Sequence, residues 1–531
     1  MFKNKKIKLA LLVNVPYNTT CCEKKHDKND KHKYKNKKEG FFVKKFKKTM
    51  ALSLAMAMGL SLVACGGSAT ESTEATTEAT TAAAADDAET PAADDATADA
   101  ADDGAKDDAA SSGEKINLWT FTDEVKNMVA KFKETHPDFP YDVETTVIAT
   151  TEGAYQPALD QALAAGGADA PDLYCAESAF VLKYTQGDMS SYACPYDELG
   201  IDTQAEIDKA KIAQYSVDIG TNPSGQVVGL GYQATGGAFI YRRSIAKDAF
   251  GTDDPKEVAD IIGAGSQNWD KFWEAADTLK EKGYGIVSGD GDMWHAIENS
   301  SDQGWVVDGK LNIDPKREEF LDISKKLKDN GYHNDTQDWQ DAWFADMKGE
   351  GEKGIFGFFG PAWLINYTLA DNCGGKAVGE GTYGDWAVCA PPVGFFWGGT
   401  WLLANKDSEK KEAVGQIIEW ITLDCSENGL QYMWANGTMN GEGGTKDCVA
   451  SATVMDMSDG TLDFLGGQNM FEVFGDANAY ANGKNLTQYD ETINQYWRDQ
   501  VRQYSAGEKD RDAAIADFKQ QVADNLAVTV E

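Results

Sequence analysis

From Lys115 onward, apolar positions alternate between two periods. Ile116-Asn117-Leu118-Trp119 reads as a short strand. Val125, Met128, Val129 and Phe132 then recur at helical spacing behind Asp123, a candidate N-cap. Tyr141 to Ile148 is rich in β-branched residues and predicts a second strand. Ala154 to Ala165 predicts a second helix, closed by Gly166-Gly167, and Asp172 to Cys175 a third strand. Strand–helix alternation of this kind implies a parallel sheet with helical crossovers. Further on, Val227 to Arg242 carries two extended runs around Gly236-Gly237. Asn268 caps a helix with Phe272, Ala275, Ala276 and Leu279 on one face. Asp314-Pro315 opens another, with Phe320, Ile323 and Leu327 inward and Gly331 past its end, a Pro-first, Gly-last arrangement. Ile355–Phe359, Trp386–Ala390 and Thr400–Ala404 read as strands, Ser408 caps a helix, and long helices fill the last hundred or so residues. No repeat of fixed period is visible.

The first 113 residues follow different rules. Lys44, Lys45, Lys47 and Lys48 precede an apolar run, Met50 to Val63, that ends in Leu62-Val63-Ala64-Cys65. That run is too short for a stable membrane span but suits a signal peptide. Its end resembles a bacterial lipobox, which makes Cys65 the expected lipidation site. Residues 1–42 fit no signal design and are expected to be mis-called upstream sequence, with Val43 as the true start. Residues 66–113 are Ala, Thr, Asp, Glu, Ser and Gly with one Pro, one Lys and no aromatic residue. They predict a disordered acidic tether with roughly 35–40 Å of root-mean-square reach.

Charge changes the picture of partners. The chain carries a net −36. Its first 64 residues hold sixteen Lys against four acidic residues, so the body stands near −48. An acidic body argues against nucleic-acid binding and against adsorption to anionic lipid. Six cysteines fall in the body (Cys175, Cys194, Cys373, Cys389, Cys425 and Cys448), widely spaced and without a CxxC. No zinc or thioredoxin-type site is expected, and both thiols and disulfides remain open. His136, His295 and His333 are scattered, and Asp290 and Asp292 lack the spaced oxygens of a calcium loop. No metal or cofactor is expected.

Six segments, in order, resemble the extracellular solute-binding family that includes the maltodextrin-binding proteins. They are KINLWTFTDEVKNMVAKFKETHPDF, ADAPDLY, YQATGGAFIYRRSIAKDAF, NWDKFWEAADTLKEKG, GIFGFFGPAWLINY and GGTWLLANKDSEKKEAVGQIIEWIT. The resemblance covers about Lys115 to Val530. It implies an α/β fold of two hinged lobes, each a mostly parallel sheet flanked by helices, with a ligand cleft at the carboxyl ends of the strands. The expected boundaries are 114–232 and 355–398 for lobe 1, and 233–354 and 399–531 for lobe 2. One departure is local: the family's "G-P-W" is here Gly360-Pro361-Ala362-Trp363.

Sugars are held by aromatic faces and by planar polar side chains. All 14 Trp lie at or after Trp119. Trp269, Trp273 and Trp420 sit in helices and are expected in the core. Trp294, Trp363, Trp397 and Trp401 lie beside Gly, Asp or Pro and are candidates for the cleft. The polar candidates are Thr122, Asp123, Glu124, Tyr155, Gln156, Glu177, Tyr232, Gln233 and Asp292. The expected function is a monomeric, lipid-anchored receptor on the outer face of the membrane. It would capture a carbohydrate, an oligosaccharide in particular, and deliver it to the permease subunits of an ABC importer. The alternatives are an exported glycoside hydrolase, which needs two carboxylates across a cleft, and a polysaccharide-binding surface module. No G-x-S-x-G, P-loop or H-E-x-x-H motif is present.

Overall fold

A computed structural model describes residues 114–150, 153–439 and 444–531. The expected upstream segment, signal peptide, Cys65 and tether lie outside the described residues. The chain opens with β1 (Lys115–Thr120), α1 (Asp123–Thr135), β2 (Asp142–Val147), α2 (Tyr155–Ala165) and β3 (Leu173–Glu177). In α1 the four apolar residues at helical spacing are all buried. Its N-cap is Thr122 rather than Asp123: Thr122 Oγ1 accepts from the Glu124 N–H at 3.3 Å. Asp123 and Glu124 therefore occupy the first turn, where carboxylates complement the helix dipole. β1 pairs in parallel with both β2 and β3, as the alternation predicts.

β4 (Gly229–Gly231), β5 (Ala238–Arg242), α3 (Asp290–Glu298), α4 (Pro315–Asn330), β6 (Gly357–Gly360), β7 (Trp386–Cys389) and β8 (Thr400–Ala404) follow. The helices α5 (Lys411–Thr422), α6 (Asp490–Ser505) and α7 (Arg511–Asn525) complete the frame. The first sheet has the order β2-β1-β3-β8-β4, and the second β6-β5-β7. β8 is antiparallel to β3 and to β4, and β5 is antiparallel to β6 and to β7.

This pairing corrects the expected lobe boundaries. β6 and β7, within 355–398, flank β5 in the second lobe, whereas β8, after 399, lies between β3 and β4 in the first sheet. The apolar strings of β6, β7 and β8 are alike, and only long-range register decides which sheet each completes. α5 then packs on the first lobe: Val414, Ile417, Ile418 and Trp420 share a core with Val125 and Phe132. α6 and α7 return to the second, where Trp497, Val501 and Phe518 pack with Trp305 and Phe320. The second sheet also departs from the mostly parallel expectation, because its central strand meets both neighbours head to tail. Parallel pairing enters where Gly285 runs beside Ile355, through Gly285 N–H to Gly354 O (3.0 Å) and Phe356 N–H to Gly285 O (2.8 Å). All six body cysteines are buried free thiols, consistent with a core large enough to need no staple.

Three segments join the lobes, near 232–237, 390–399 and 478–489. They touch one another: Gly237 N–H donates to Phe395 O (2.9 Å), Trp397 N–H to Thr235 O (3.1 Å), and Gly236 N–H to Asn478 Oδ1 (3.0 Å). A Cβ at Gly237 would stand 2.1 Å from the Phe395 ring, and one at Gly236 2.5 Å from the Ala477 carbonyl carbon. Glycine is what allows the crossings to pack this closely.

Candidate functional site

Between the lobes lies a cavity of about 560 Å³, within the range of small-ligand sites. The first lobe reaches it from the carboxyl ends of two parallel strands. β1 runs into Phe121, Thr122 and Glu124, and β3 into Glu177 and Phe180. The crossings add Gln233 and Trp397, and the start of β8 adds Thr400. From the second lobe, α3 supplies His295 and Glu298, the loop before residue 340 supplies Trp339, and the short helical segment after β6 supplies Trp363 and Tyr367. One face of α6 supplies Glu491, Asn494, Arg498 and Arg502, spaced three to four residues apart. A second cavity of about 440 Å³ shares Phe121, Thr122, Glu124 and Tyr367 with the first and continues past Asp123 and Trp434.

Of the residues singled out from the sequence, Thr122, Glu124, Glu177, Gln233, Trp294, Trp363 and Trp397 border the main cavity. Asp123 is exposed, pairs with Lys126 at 3.0 Å and borders only the second cavity. Tyr155, Gln156, Tyr232, Asp292 and Trp401 do not line the main cavity, and each has other partners. Tyr155 donates to Cys175 O (2.7 Å) inside the first-lobe core. Tyr232 donates to the Glu124 carboxylate and so fixes that group from behind. Gln156 donates to Glu491, a contact from one lobe to the other. Asp292 accepts from the Ser288 and Gly289 N–H groups (3.0 and 2.9 Å) and from Trp343 Nε1 (3.1 Å), which ties down the start of α3. Trp401 is 1% exposed and donates to Ser216 O at 3.1 Å. Trp294 borders the cavity, yet at 1% exposure its ring packs against Trp305 and Phe320.

The aromatic wall is built by Trp339, Trp363 and Trp397. Trp363 and Trp339 lie nearly parallel (10°) with centroids 6.3 Å apart, and Trp397 leans on Trp363 at 4.7 Å. Trp363 Nε1 donates to Trp397 O at 3.0 Å, so the extra residue after Pro361 leaves this ring on the cavity wall. Trp339 was not anticipated. Its signal was an isolated aromatic in a polar stretch, and it stands 41% exposed at φ 67°. His295 stacks on Trp397 at 3.5 Å. His295 Nε2 lies 3.3 Å from Asp338 Oδ2 without hydrogen-bond geometry, and neither ring nitrogen has a hydrogen-bond partner among the described residues.

Burial raises the carboxyls of the cavity. Glu298 and Glu491 are each pushed up to about 7, by burial first and then by neighbouring carboxylates, Glu177 among them. Burial also raises Glu124 and Glu177. The imidazole of His295 is pushed down by burial, against the raising influence of Asp338. Burial alone would raise Asp338, but the paired Arg498 guanidinium holds it well below the usual range. Neutral and charged hydrogen-bonding groups thus surround a broad aromatic face, which suits a polyhydroxylated ligand with apolar C–H faces.

The family described as bacterial extracellular solute-binding protein matches residues 119–424. No curated protein matches the chain. Among solved structures, the galacto-N-biose-/lacto-N-biose I-binding protein of the ABC transporter from Bifidobacterium longum, in complex with lacto-N-biose, is similar. It is 17% identical with a TM-score of 0.59, covering 78% of this chain and 98% of that one. The sugar-binding protein MalE from Xanthomonas citri is 16% identical with a TM-score of 0.55 over 77% of this chain and 96% of its own. Maltose-bound MalE3 of T. maritima is 15% identical, with a TM-score of 0.53 over 78% and 99%. At these identities the likeness is one of fold: two lobes joined by a hinge.

Proposed function

The chain belongs to the bacterial extracellular solute-binding protein family, and from that premise we propose that its interlobe cleft captures an oligosaccharide and delivers it to the permeases of an ABC importer. The observation that carries this reading is the wall of Trp339, Trp363 and Trp397 facing hydrogen-bonding carboxylates across one cavity. The adjoining second cavity favours a ligand of more than one ring. The sugars named for the similar Bifidobacterium and T. maritima proteins, lacto-N-biose and maltose, agree in class.

The receptor acts as a monomer by closing on its ligand and releasing it unchanged. A ligand that touches both lobes stabilises the closed form by its differential affinity. Small-angle scattering on residues 114–531 should show a smaller radius of gyration at saturating oligosaccharide, while the mixture yields no shorter sugar. Hydrolysis products would favour the glycosidase alternative, and binding without compaction would remove the closure. Lipid on Cys65 is part of the same proposal. Fatty-acid labelling should mark the wild type and not Cys65→Ala, and equal label would refute the anchor.

A further inference from the structure

The charges around the cleft do not balance. Glu124 and Glu177 stand on the first-lobe wall, and Glu298 and Glu491 on the second. Among the described residues none of the four takes part in an ion pair. Their partners are neutral donors: Tyr232 for Glu124, Ser178 Oγ and Ala179 N–H for Glu177 (2.8 and 2.7 Å), Asn494 for Glu298 and Gln156 for Glu491. The cavity's two arginines are already matched elsewhere. Arg498 pairs with Asp338 at 2.5 Å, and Arg502 lies 3.7 Å from Asp338 and 3.8 Å from Asp290. Where they are ionised, carboxylates facing one another across a low-dielectric gap repel and oppose closure, and burial already raises Glu177, Glu298 and Glu491 toward their neutral forms.

A neutral sugar can hydrogen-bond such groups but cannot cancel their charge. A ligand cation placed between the lobes would, and it would turn mutual repulsion into attraction from both sides. Three further features fit such a ligand. The indole faces of Trp339, Trp363 and Trp397 attract cations. His295, 5% exposed on the same cavity, has no hydrogen-bond partner on either ring nitrogen among the described residues, and with Nε2 3.3 Å from Asp338 Oδ2 its Nδ1 is left for a ligand hydroxyl. The body of the protein is itself strongly acidic, a field that draws cations toward the cleft.

We infer that the cleft selects a carbohydrate bearing a protonated amine, an amino sugar or aminated oligosaccharide, held between Glu177 of the first lobe and Glu298 and Glu491 of the second. This rests on the carbohydrate reading and narrows it. The ammonium sits among the carboxylates while the ring faces stack on the tryptophan wall.

The test is calorimetric titration of residues 114–531 with matched sugar sets: glucosamine and galactosamine oligomers, their N-acetylated forms, and neutral gluco- and galacto-oligomers of the same linkage and length. The amine-bearing member should bind at least tenfold more tightly than its N-acetylated and neutral partners. Added salt should erode that preference, because the attraction is electrostatic. In the double variant Glu177→Gln, Glu491→Gln the ratio should fall toward one. If the variant fails to fold, the wild-type ratio and its salt dependence still decide. Equal or tighter binding of the neutral or N-acetylated partner overturns the amine inference and leaves the carbohydrate reading standing. Absence of binding by every sugar overturns both.

Discussion

Trp397 and Trp401 lie four residues apart in one FWGGTW string, yet they meet opposite fates. Trp397 faces the cavity, stacked on His295 and leaning on Trp363. Trp401 is sealed in the first-lobe core with its Nε1 on Ser216 O. Between them Gly398 and Gly399 take φ values of 74° and 112°, and the chain passes from a crossing into β8. An aromatic residue's role here follows from the element it enters, and its immediate neighbours are a poor guide. Trp363, half-buried on the cleft, and Trp420, which packs edge-on against Phe132 in the core, both lie in helices, so there it is the face of the helix that decides.

The largest effect should come from the core side. Trp401→Ala leaves a cavity in the first sheet and should cost about 3–5 kcal/mol of stability, with little change in affinity while the protein remains folded. Thermal unfolding and titration together check this, and an unchanged melting point would place Trp401 outside the core. On the cleft side, Trp363→Ala removes a stacking face and the donor to Trp397 O. It should weaken the cognate sugar by roughly 1–3 kcal/mol, tenfold or more, while melting falls less than in Trp401→Ala. Early unfolding with unchanged affinity would reverse the assignment of this ring.

Buried carboxyls sharpen the contrast through pH. Burial lifts Asp292 and Asp447 in the core, and Glu298 and Glu491 at the cleft, to about 7, and Asp490 to about 6. Unfolded carboxyls titrate near about 4. Between those limits the native state binds more protons than the unfolded chain, so stability falls as pH rises. His295 and His333 are pushed down by burial and act the other way, but only as pH falls below the ordinary imidazole range near about 6.5. The melting temperature of the ligand-free body should therefore rise from pH 8 to pH 6.5. A fall over that interval would mean the carboxyls are ionised at no cost. The smallest effect is expected at the Gln156–Glu491 contact between lobes. Gln156→Ala removes one such bond, on the order of 1 kcal/mol, and should slightly enlarge the ligand-free radius of gyration. An unchanged or smaller radius would mean this bond does not hold the lobes together.

Local pattern made much of the first lobe legible. β1, α1, β2, α2 and β3 fall within a few residues of their predicted places, and Asp314-Pro315 with Gly331 bounds α4 as expected. Lobe membership was not legible, because GFFG in β6 and TWLLA in β8 carry the same local signal and differ only in distant partners. The site was half legible. Residues just past β1 and β3 could be found because parallel strands present their carboxyl ends to a ligand. Arg498 and Glu491 could not: they sit on α6, whose inward face is set by packing against the second lobe. Asp292 misled because a carboxylate beside Gly reads equally well as a ligand contact and as an anchor for backbone N–H groups, and here it is the anchor.

The place of β8 has a consequence for how the chain is made. It is the second-to-last strand across the first sheet, between β3 and β4, yet it is the last of the five to be synthesised. Tyr196, which donates to Leu402 O at 2.7 Å, must wait 206 residues for its partner. Until then the sheet has an open gap edged by β3 and β4, and a chain emerging N-terminus first cannot close it locally. Pairings this distant slow folding and prolong exposure of unpaired strand edges. A nascent chain stopped before residue 400 should remain bound to chaperones and sensitive to protease, and one extended past α5 should become resistant across the whole first lobe at once.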